Sequence, residues 1–197
     1  MNSIVLKGLL RNIQPSHTIG DIEYEQADLI VSRKGGKEDV VSLKFKKFCN
    51  KYSDGDLIEL KGNLRSYSKK LDNGKNKVNL YVFTYFDIPE TEDNNTVELD
   101  GRICKLDEIR TTKDGKNNIH LILANNLIIE DTNQKLNSYV PCIGWGKIAK
   151  ELHKLSVNTK IKIIGELHSR EYKKVLSDGT FEFKVAHECV IQSFEII

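Results

Sequence analysis

The 197-residue sequence lacks the features that would place it in several functional classes. No stretch approaches the roughly 18 apolar residues of a membrane-spanning helix, and Met1 to Lys7 lacks the charged-then-apolar layout of a signal peptide. A cytoplasmic protein with no membrane partner is therefore expected. Cys49, Cys104, Cys142 and Cys189 lie 55, 38 and 47 residues apart with no CxxC pair, so reduced thiols and no zinc site are expected. An excess of one charge is also missing: 30 Lys+Arg face 28 Asp+Glu, a formal +2. Residues 1–90 hold 15 basic and 12 acidic side chains (+3) and residues 91–197 hold 15 and 16 (−1), so neither half is a basic arm. His17, His120, His153, His168 and His187 sit outside any H-E-x-x-H or G-x-S-x-G frame. Gly35-Gly36 and Asp114-Gly115-Lys116 lack the strand–loop–helix setting of a phosphate cradle. No catalytic group, metal or cofactor is expected, and the protein is not read as an enzyme.

What is present is a strand programme, stated twice. Hydrophobic residues make up 39% and charged residues 29%, which permits a packed core. Runs rich in Val, Ile, Leu, Phe and Tyr predict five strands in the first half: 4–13, 24–32, 40–45, 57–67 and 78–88. Turn signals separate them at Lys34-Gly35-Gly36-Lys37, Ser53-Asp54-Gly55-Asp56 and Leu71-Asp72-Asn73-Gly74-Lys75, where Asn73-Gly74 favours a tight hairpin. The second half predicts strands over 96–106, 119–126, 139–144, 160–172 and 181–197. Between its third and fourth strands, Ile148, Ala149, Leu152 and Leu155 follow helical spacing, with Lys147, Lys150, Glu151 and Lys154 on the other face. The matching stretch of the first half, Phe48 to Tyr52, has room for about one turn.

The halves align in order. Leu6-Lys7-Gly8 matches Leu99-Asp100-Gly101 at an offset of 93, Lys47-Phe48 matches Lys147-Ile148 at 100, and Gly62-Asn63-Leu64 matches Gly165-Glu166-Leu167 at 103. The acidic, polar run Pro89 to Asn95 reads as the hinge, giving an N-terminal domain over 1–90 and a C-terminal domain over 91–197. Five strands with a short helix between the third and fourth is the layout of a Greek-key barrel of the oligonucleotide/oligosaccharide-binding (OB) fold. An SH3-like barrel would use similar strands, but the helix position and the double occurrence favour an all-β chain of two tandem five-stranded OB-fold barrels.

Aromatics and cations gather in two places. Tyr139 and Trp145 share strand parity in Ser138 to Lys147, with Lys147 following at once; Arg170, Tyr172, Lys173 and Lys174 end the strand that begins near Lys160. Exposed bases stack on aromatic faces at about 1–3 kcal/mol each while cations follow phosphates. The alternative is that Tyr139 and Trp145 fill the barrel core and the lysines only solubilise.

The run Tyr139-Val140-Pro141-Cys142-Ile143-Gly144-Trp145-Gly146-Lys147-Ile148-Ala149, followed by Gly165-Glu166-Leu167-His168-Ser169-Arg170-Glu171-Tyr172, resembles the bacterial single-stranded DNA-binding protein family and its primosomal relatives. Asn95 to Ile103 and Leu123-Ala124-Asn125 fit the same pattern, so the resemblance covers Asn95 to the end. It implies base-stacking roles for Tyr139, Trp145 and Tyr172 and backbone contacts from Arg170 and Lys147, with Lys173 beside them. A further aromatic that some members place after the Leu-Ala segment is replaced by Leu127, Ile128 and Ile129. The family's acidic tail has no counterpart after Phe194-Glu195-Ile196-Ile197, so partner recruitment by that route is not expected.

In the first half an offset of 100 sets Phe45 on Trp145 and Asp39 on Tyr139. Alternation makes Val41, Leu43 and Phe45 core and turns Ser42, Lys44 and Lys46 outward. This copy either binds through Lys44, Lys46, Lys69 and Lys70, with Tyr67 or Phe48 as stackers, or serves packing alone. The leading expectation is a sequence-tolerant single-stranded DNA binder acting in replication, recombination or mobile-element transfer. The resemblance implies a homo-oligomer, a dimer supplying four barrels. A module that holds a replication or transfer protein, or a single-stranded RNA binder, are the alternatives.

Overall fold

Alternation of apolar and polar residues over long runs makes each half a closed barrel. The computed structural model describes residues 1–70, 74, 76–87, 94–129, 134–175 and 179–197, with backbone alone at 76, 129, 134 and 174. The first half forms β1 (Asn2–Ile19), β2 (Ile22–Ser32), β3 (Glu38–Lys46), β4 (Leu57–Lys70) and β5 (Asn76–Asp87), with a 3-10 turn at Lys47–Cys49. The second forms β6 (Asn95–Leu106), a two-residue β7 (Arg110–Thr111), β8 (Asn117–Ile129), β9 (Gln134–Trp145), α1 (Gly146–Leu152), β10 (Lys160–Val175) and β11 (Phe181–Ile196). Most of the Asn73-Gly74 turn and of the hinge lies outside the described residues.

Closure is the same in both halves. β1 pairs antiparallel with β2 and β4, and the barrel is completed through β2–β3, β4–β5 and a short parallel β3–β5 contact. β6 likewise pairs with β8 and β10, and β8–β9, β10–β11 and a parallel β9–β11 contact complete the second barrel. The barrels are fused through one antiparallel ladder, Asn2↔Leu99 to Leu6↔Asn95, between β1 and β6.

Inward positions follow the period of two. Ile4, Leu6 and Leu10 on β1 and Val41, Leu43 and Phe45 on β3 are buried, while Ser42, Lys44 and Lys46 are half-buried on the outer side. Each fully buried Leu, Ile or Phe contributes about 1.5–3 kcal/mol relative to exposure. α1 turns Ala149 and Leu152 into the second core, as its spacing predicts, and the first half has the 3-10 turn in its place.

Equivalent residues meet equivalent neighbours. A Cβ on Gly8 would lie 2.5 Å from the Ile30 carbonyl oxygen and 2.9 Å from Leu29 Cγ; on Gly101 it would lie 2.5 Å from that of Ala124 and 2.9 Å from Leu123 Cγ. Asn2 exchanges two hydrogen bonds with the Leu64 backbone, both 2.8 Å, and Asn95 exchanges two with that of Leu167, 2.8 and 2.9 Å. Both β4 and β10 shift register one residue before the matched glycine, at Lys61/Gly62 and Ile164/Gly165.

The register corrects the sequence alignment of β3 with β9. Leu29↔Val41 corresponds to Leu123↔Val140, an offset of 99, so Lys46 occupies the place of Trp145 and Val40 that of Tyr139. The expected offset of 100 came from the Lys47/Lys147 match beyond an extra residue. That residue is Gly146, whose φ of +55° lets the chain turn from β9 into α1.

Candidate nucleic-acid interface

With the cores filled, the side chains of opposite parity coat the barrels. On the first barrel, the outer face of β2, β3, β5 and β4 collects aromatics and cations. Lys44 Nζ lies 5.1 Å from the Tyr67 ring centre and 5.0 Å from that of Tyr81, and the two rings are 6.0 Å apart. Lys46 Nζ lies 5.7 Å from Phe48 and 5.3 Å from Tyr85. The Arg65 guanidinium covers Phe83 at 3.9 Å, Phe83 meets Tyr85 edge-on at 5.3 Å, and His17 stacks on Tyr24 at 4.6 Å. Tyr67 is 49% and Phe48 73% exposed. Burial pushes the pKa of Lys44 and of Arg65 down and that of the Tyr81 hydroxyl up. Lys69 and Lys70 are exposed at the end of β4.

On the second barrel Tyr139 and Trp145 are 43% and 39% exposed, so they belong to the surface and not the core. Arg170 is well exposed, but its Nε stands 3.9 Å from Glu188 Oε1, and His120 Nδ1 is 3.9 Å from Glu188 Oε2. Tyr172 is half-buried beneath Lys77 of the first barrel, whose Nζ is 5.7 Å from the ring. Lys173 Nζ sits 3.6 Å over Phe181, which packs edge-on against Phe183. Lys147 extends into solvent with Glu151 at 3.6 Å.

Two adjoining recesses share Asn79, Leu80, Val185 and His187. One, of about 310 Å³, is lined by Lys44, Tyr67 and Tyr81; the other, of about 380 Å³, by Lys77, Arg170 and Tyr172. Among the expected site residues, Lys44 and Tyr67 therefore meet in one recess and Arg170 and Tyr172 in the next. Tyr139, Trp145, Lys147, Lys173, Lys46, Lys69 and Lys70 line neither. Tyr24, Arg65, Tyr81, Phe83 and Tyr85 were not anticipated, although Asn79, Tyr81, Phe83 and Tyr85 alternate along β5 and so share one side.

Polar bonds fix the recesses relative to one another. Ser66 Oγ accepts the Tyr139 amide at 2.7 Å, and Ser169 Oγ accepts the equivalent Val40 amide at 2.9 Å. Arg33 holds the buried Asp39 carboxylate through two bonds and donates to the Ser169 carbonyl at 3.0 Å. Burial favours the neutral acid, but Arg33 and the Ser169 amide outweigh it and hold the Asp39 pKa below its ordinary value. His187 donates from Nε2 to the Val40 carbonyl at 2.6 Å, and burial pushes its pKa down despite that bond. Among the described residues no cluster of three or more His, Cys, Asp or Glu could hold a metal ion. None of the described helices is long and apolar enough to cross a membrane.

Comparison with solved structures finds the same architecture. The wild-type single-stranded DNA binding protein of Thermus aquaticus superposes with a TM-score of 0.72 at 18% identity, over 100% of this chain and 93% of that one. A deletion mutant of that protein gives 0.71 at 19% identity, over 100% and 94%. PriB from Ralstonia solanacearum covers 53% of this chain at 17% identity and 98% of its own, with a TM-score of 0.42. No match was found among curated proteins. The model of the single-strand binding protein family matches residues 94–196, more than half the chain and the whole of the second barrel. The chain belongs to the single-strand binding protein family.

Proposed function

We propose that the protein is a non-catalytic, sequence-tolerant binder of single-stranded DNA, acting in replication, recombination or mobile-element transfer. The observation that carries this reading is the pair of recesses that adjoin across both barrels and offer Lys44, Tyr67 and Tyr81, then Lys77, Arg170 and Tyr172. Bases need flat apolar faces and phosphates need cations, and this path alternates the two. Tyr139, Trp145, Lys147 and Lys173, and on the first barrel Lys46, Lys69 and Lys70, extend the surface beyond the recesses. The proposed units are 1–90 and 91–197, working as a cytoplasmic dimer of two-barrel chains.

Trp145 is the one tryptophan and is partly exposed, so it reports on its own face. Titration with a long oligo-dT is expected to quench its emission, with affinity falling steeply as salt rises because counterions are released. Salt-independent binding, or none, overturns the reading. Competition with a matched RNA strand tests the RNA alternative, since a 2′-hydroxyl contact or clash separates the two.

A second reading, a module that holds a replication or transfer protein, is favoured by Val175, Phe181 and Phe183. They are 66%, 51% and 68% exposed on paired positions of the β10–β11 hairpin. Phe183→Ser leaves strand affinity unchanged under this reading while abolishing the partner contact.

A further inference from the structure

The two barrels are built on one plan, so position-by-position comparison shows what each face has become. The parallel contacts Leu43↔Val82 and Cys142↔Cys189 correspond, which fixes β5 against β11 at an offset of 107. Tyr81 of the first face then stands where the second has Glu188, and Phe83 where it has Val190. Lys44 stands where the second has the buried Ile143. Tyr67 corresponds to Arg170 through the Gly62/Gly165 match.

Away from the recesses the second face gains Tyr139 and Trp145 at the places of Val40 and Lys46, but within them the first face keeps the aromatics. The second face replaces an aromatic with a carboxylate, and that carboxylate lies 3.9 Å from both Arg170 and His120. A phosphate approaching Arg170 must compete with Glu188. On the first face Lys44 stands over the Tyr67 and Tyr81 rings, and the acid in the recess, Asp28, accepts from Asn12 at 2.9 Å. Tyr67 and Tyr81 pair at 6.0 Å beside Lys44, and Tyr85 meets Phe83 at 5.3 Å, where Phe83 is buried beneath Arg65.

We propose that the first barrel, which lies outside the part of the chain matched by the family model, is the principal single-strand site, and that the second barrel is the weaker, accessory one. Its ligand is an unpaired strand stacked on Tyr67 and Tyr81, with phosphates against Lys44 and Lys46. The proposal rests on the single-strand binding reading above and adds an order of occupancy to it.

The position of Trp145 on the second barrel makes that order measurable in the wild-type protein. A labelled oligo-dT of about 6 nucleotides, within the roughly 4–16 that one OB fold accommodates, is titrated at protein concentrations above its dissociation constant. Anisotropy of the label counts strands bound, and Trp145 emission reports the second face. The expected result is a first equivalent bound without quenching and a second that quenches. Quenching in step with the first equivalent overturns the proposal while leaving single-strand binding intact; no binding by either signal overturns both.

Variants supply an independent reading with a long oligo-dT. The double substitution Tyr67→Ala, Tyr81→Ala is expected to weaken binding about 30-fold or more, from about 1–3 kcal/mol per lost stack. Tyr139→Ala with Trp145→Ala is expected to weaken it less than tenfold. The reverse ranking overturns the proposal. If the first double variant fails to fold by circular dichroism, the wild-type titration decides.

Discussion

At the scale of single residues, one constraint is a missing side chain. Gly8 and Gly101 sit where β1 and β6 cross β2 and β8, and an added Cβ would meet a carbonyl oxygen at 2.5 Å in each case. Backbone cannot give way as a side-chain end can, so Gly8→Ala is expected to cost about 1–3 kcal/mol. A melt should register this as a loss of about 2–4 °C per kcal/mol in a chain of this size. A second constraint is electrostatic. Arg33→Ala leaves Asp39 buried without its counter-charge, and breaking a buried pair in this way costs about 3–5 kcal/mol. The sign of the pH dependence follows from the depressed pKa values. The unfolded chain protonates His187 near 6.5 while the folded one resists, so stability falls as pH drops below 6.5. A further loss begins below 3.8 as the unfolded chain takes up a proton at Asp39 first. Denaturant midpoints at pH 7 and pH 5 check the first step, and His187→Gln should flatten it. Of these residues, the sequence made legible the core set Val41, Leu43 and Phe45, because alternation alone separates faces. It did not reveal that Asp39 is buried. The partners that permit this, Arg33 and Ser169, lie six residues away and in the other barrel.

At the scale of elements, the long strands were legible in their buried stretches, and several run on beyond their expected ends. β1 continues to Ile19, β4 to Lys70 and β10 to Val175, where neither face is buried and apolar alternation disappears. There the strands are held by hairpin pairing, as in His17↔Tyr24 and Lys69↔Lys77, which leaves no hydrophobic signature. The candidate site suffered from the same limit. Tyr81, Phe83 and Tyr85 lie inside an almost wholly apolar run, and which of its parities faces outward is set by pairing with β3 and β4. The aromatics of β9 could be read because a family pattern covers them, whereas the first barrel has only its distant likeness to the second. Pairing also locates the pegs that hold the elements. Asn2 is 7% exposed and binds the Leu64 amide and carbonyl and Asn125 Oδ1. Asn2→Ala strands those groups, and an unsatisfied buried polar group costs about 1–3 kcal/mol. The denaturant midpoint should fall with an unchanged slope, because the surface exposed on unfolding is the same.

At the scale of the whole molecule, duplication of a small barrel could have produced two independent domains on a linker, yet the barrels share backbone. The β1–β6 ladder continues one sheet through both, and β1 closes the first barrel while bordering the second. Asn2 of the first barrel donates to Asn125 of the second at 2.8 Å, and Asn125 donates to the Met1 carbonyl at 3.0 Å. The Ser66–Tyr139 and Ser169–Val40 bonds then tie β4 to β9 and β10 to β3. Unfolding the first barrel alone would strip the edge of β6 and leave Asn125 Oδ1 and the Tyr139 amide without their partners. Each bond so exchanged for water adds about 0.5–1.5 kcal/mol to the cost of a half-folded state, besides the apolar surface uncovered. Such an intermediate is therefore disfavoured, and the chain should unfold in one transition. Trp145 emission follows the second barrel and far-ultraviolet circular dichroism follows both, so the two urea transitions are expected to coincide in midpoint and slope. Separated midpoints would mean that the shared ladder does not couple the barrels. Weakening it by Asn2→Ala with Ser66→Ala is the change expected to pull the two signals apart.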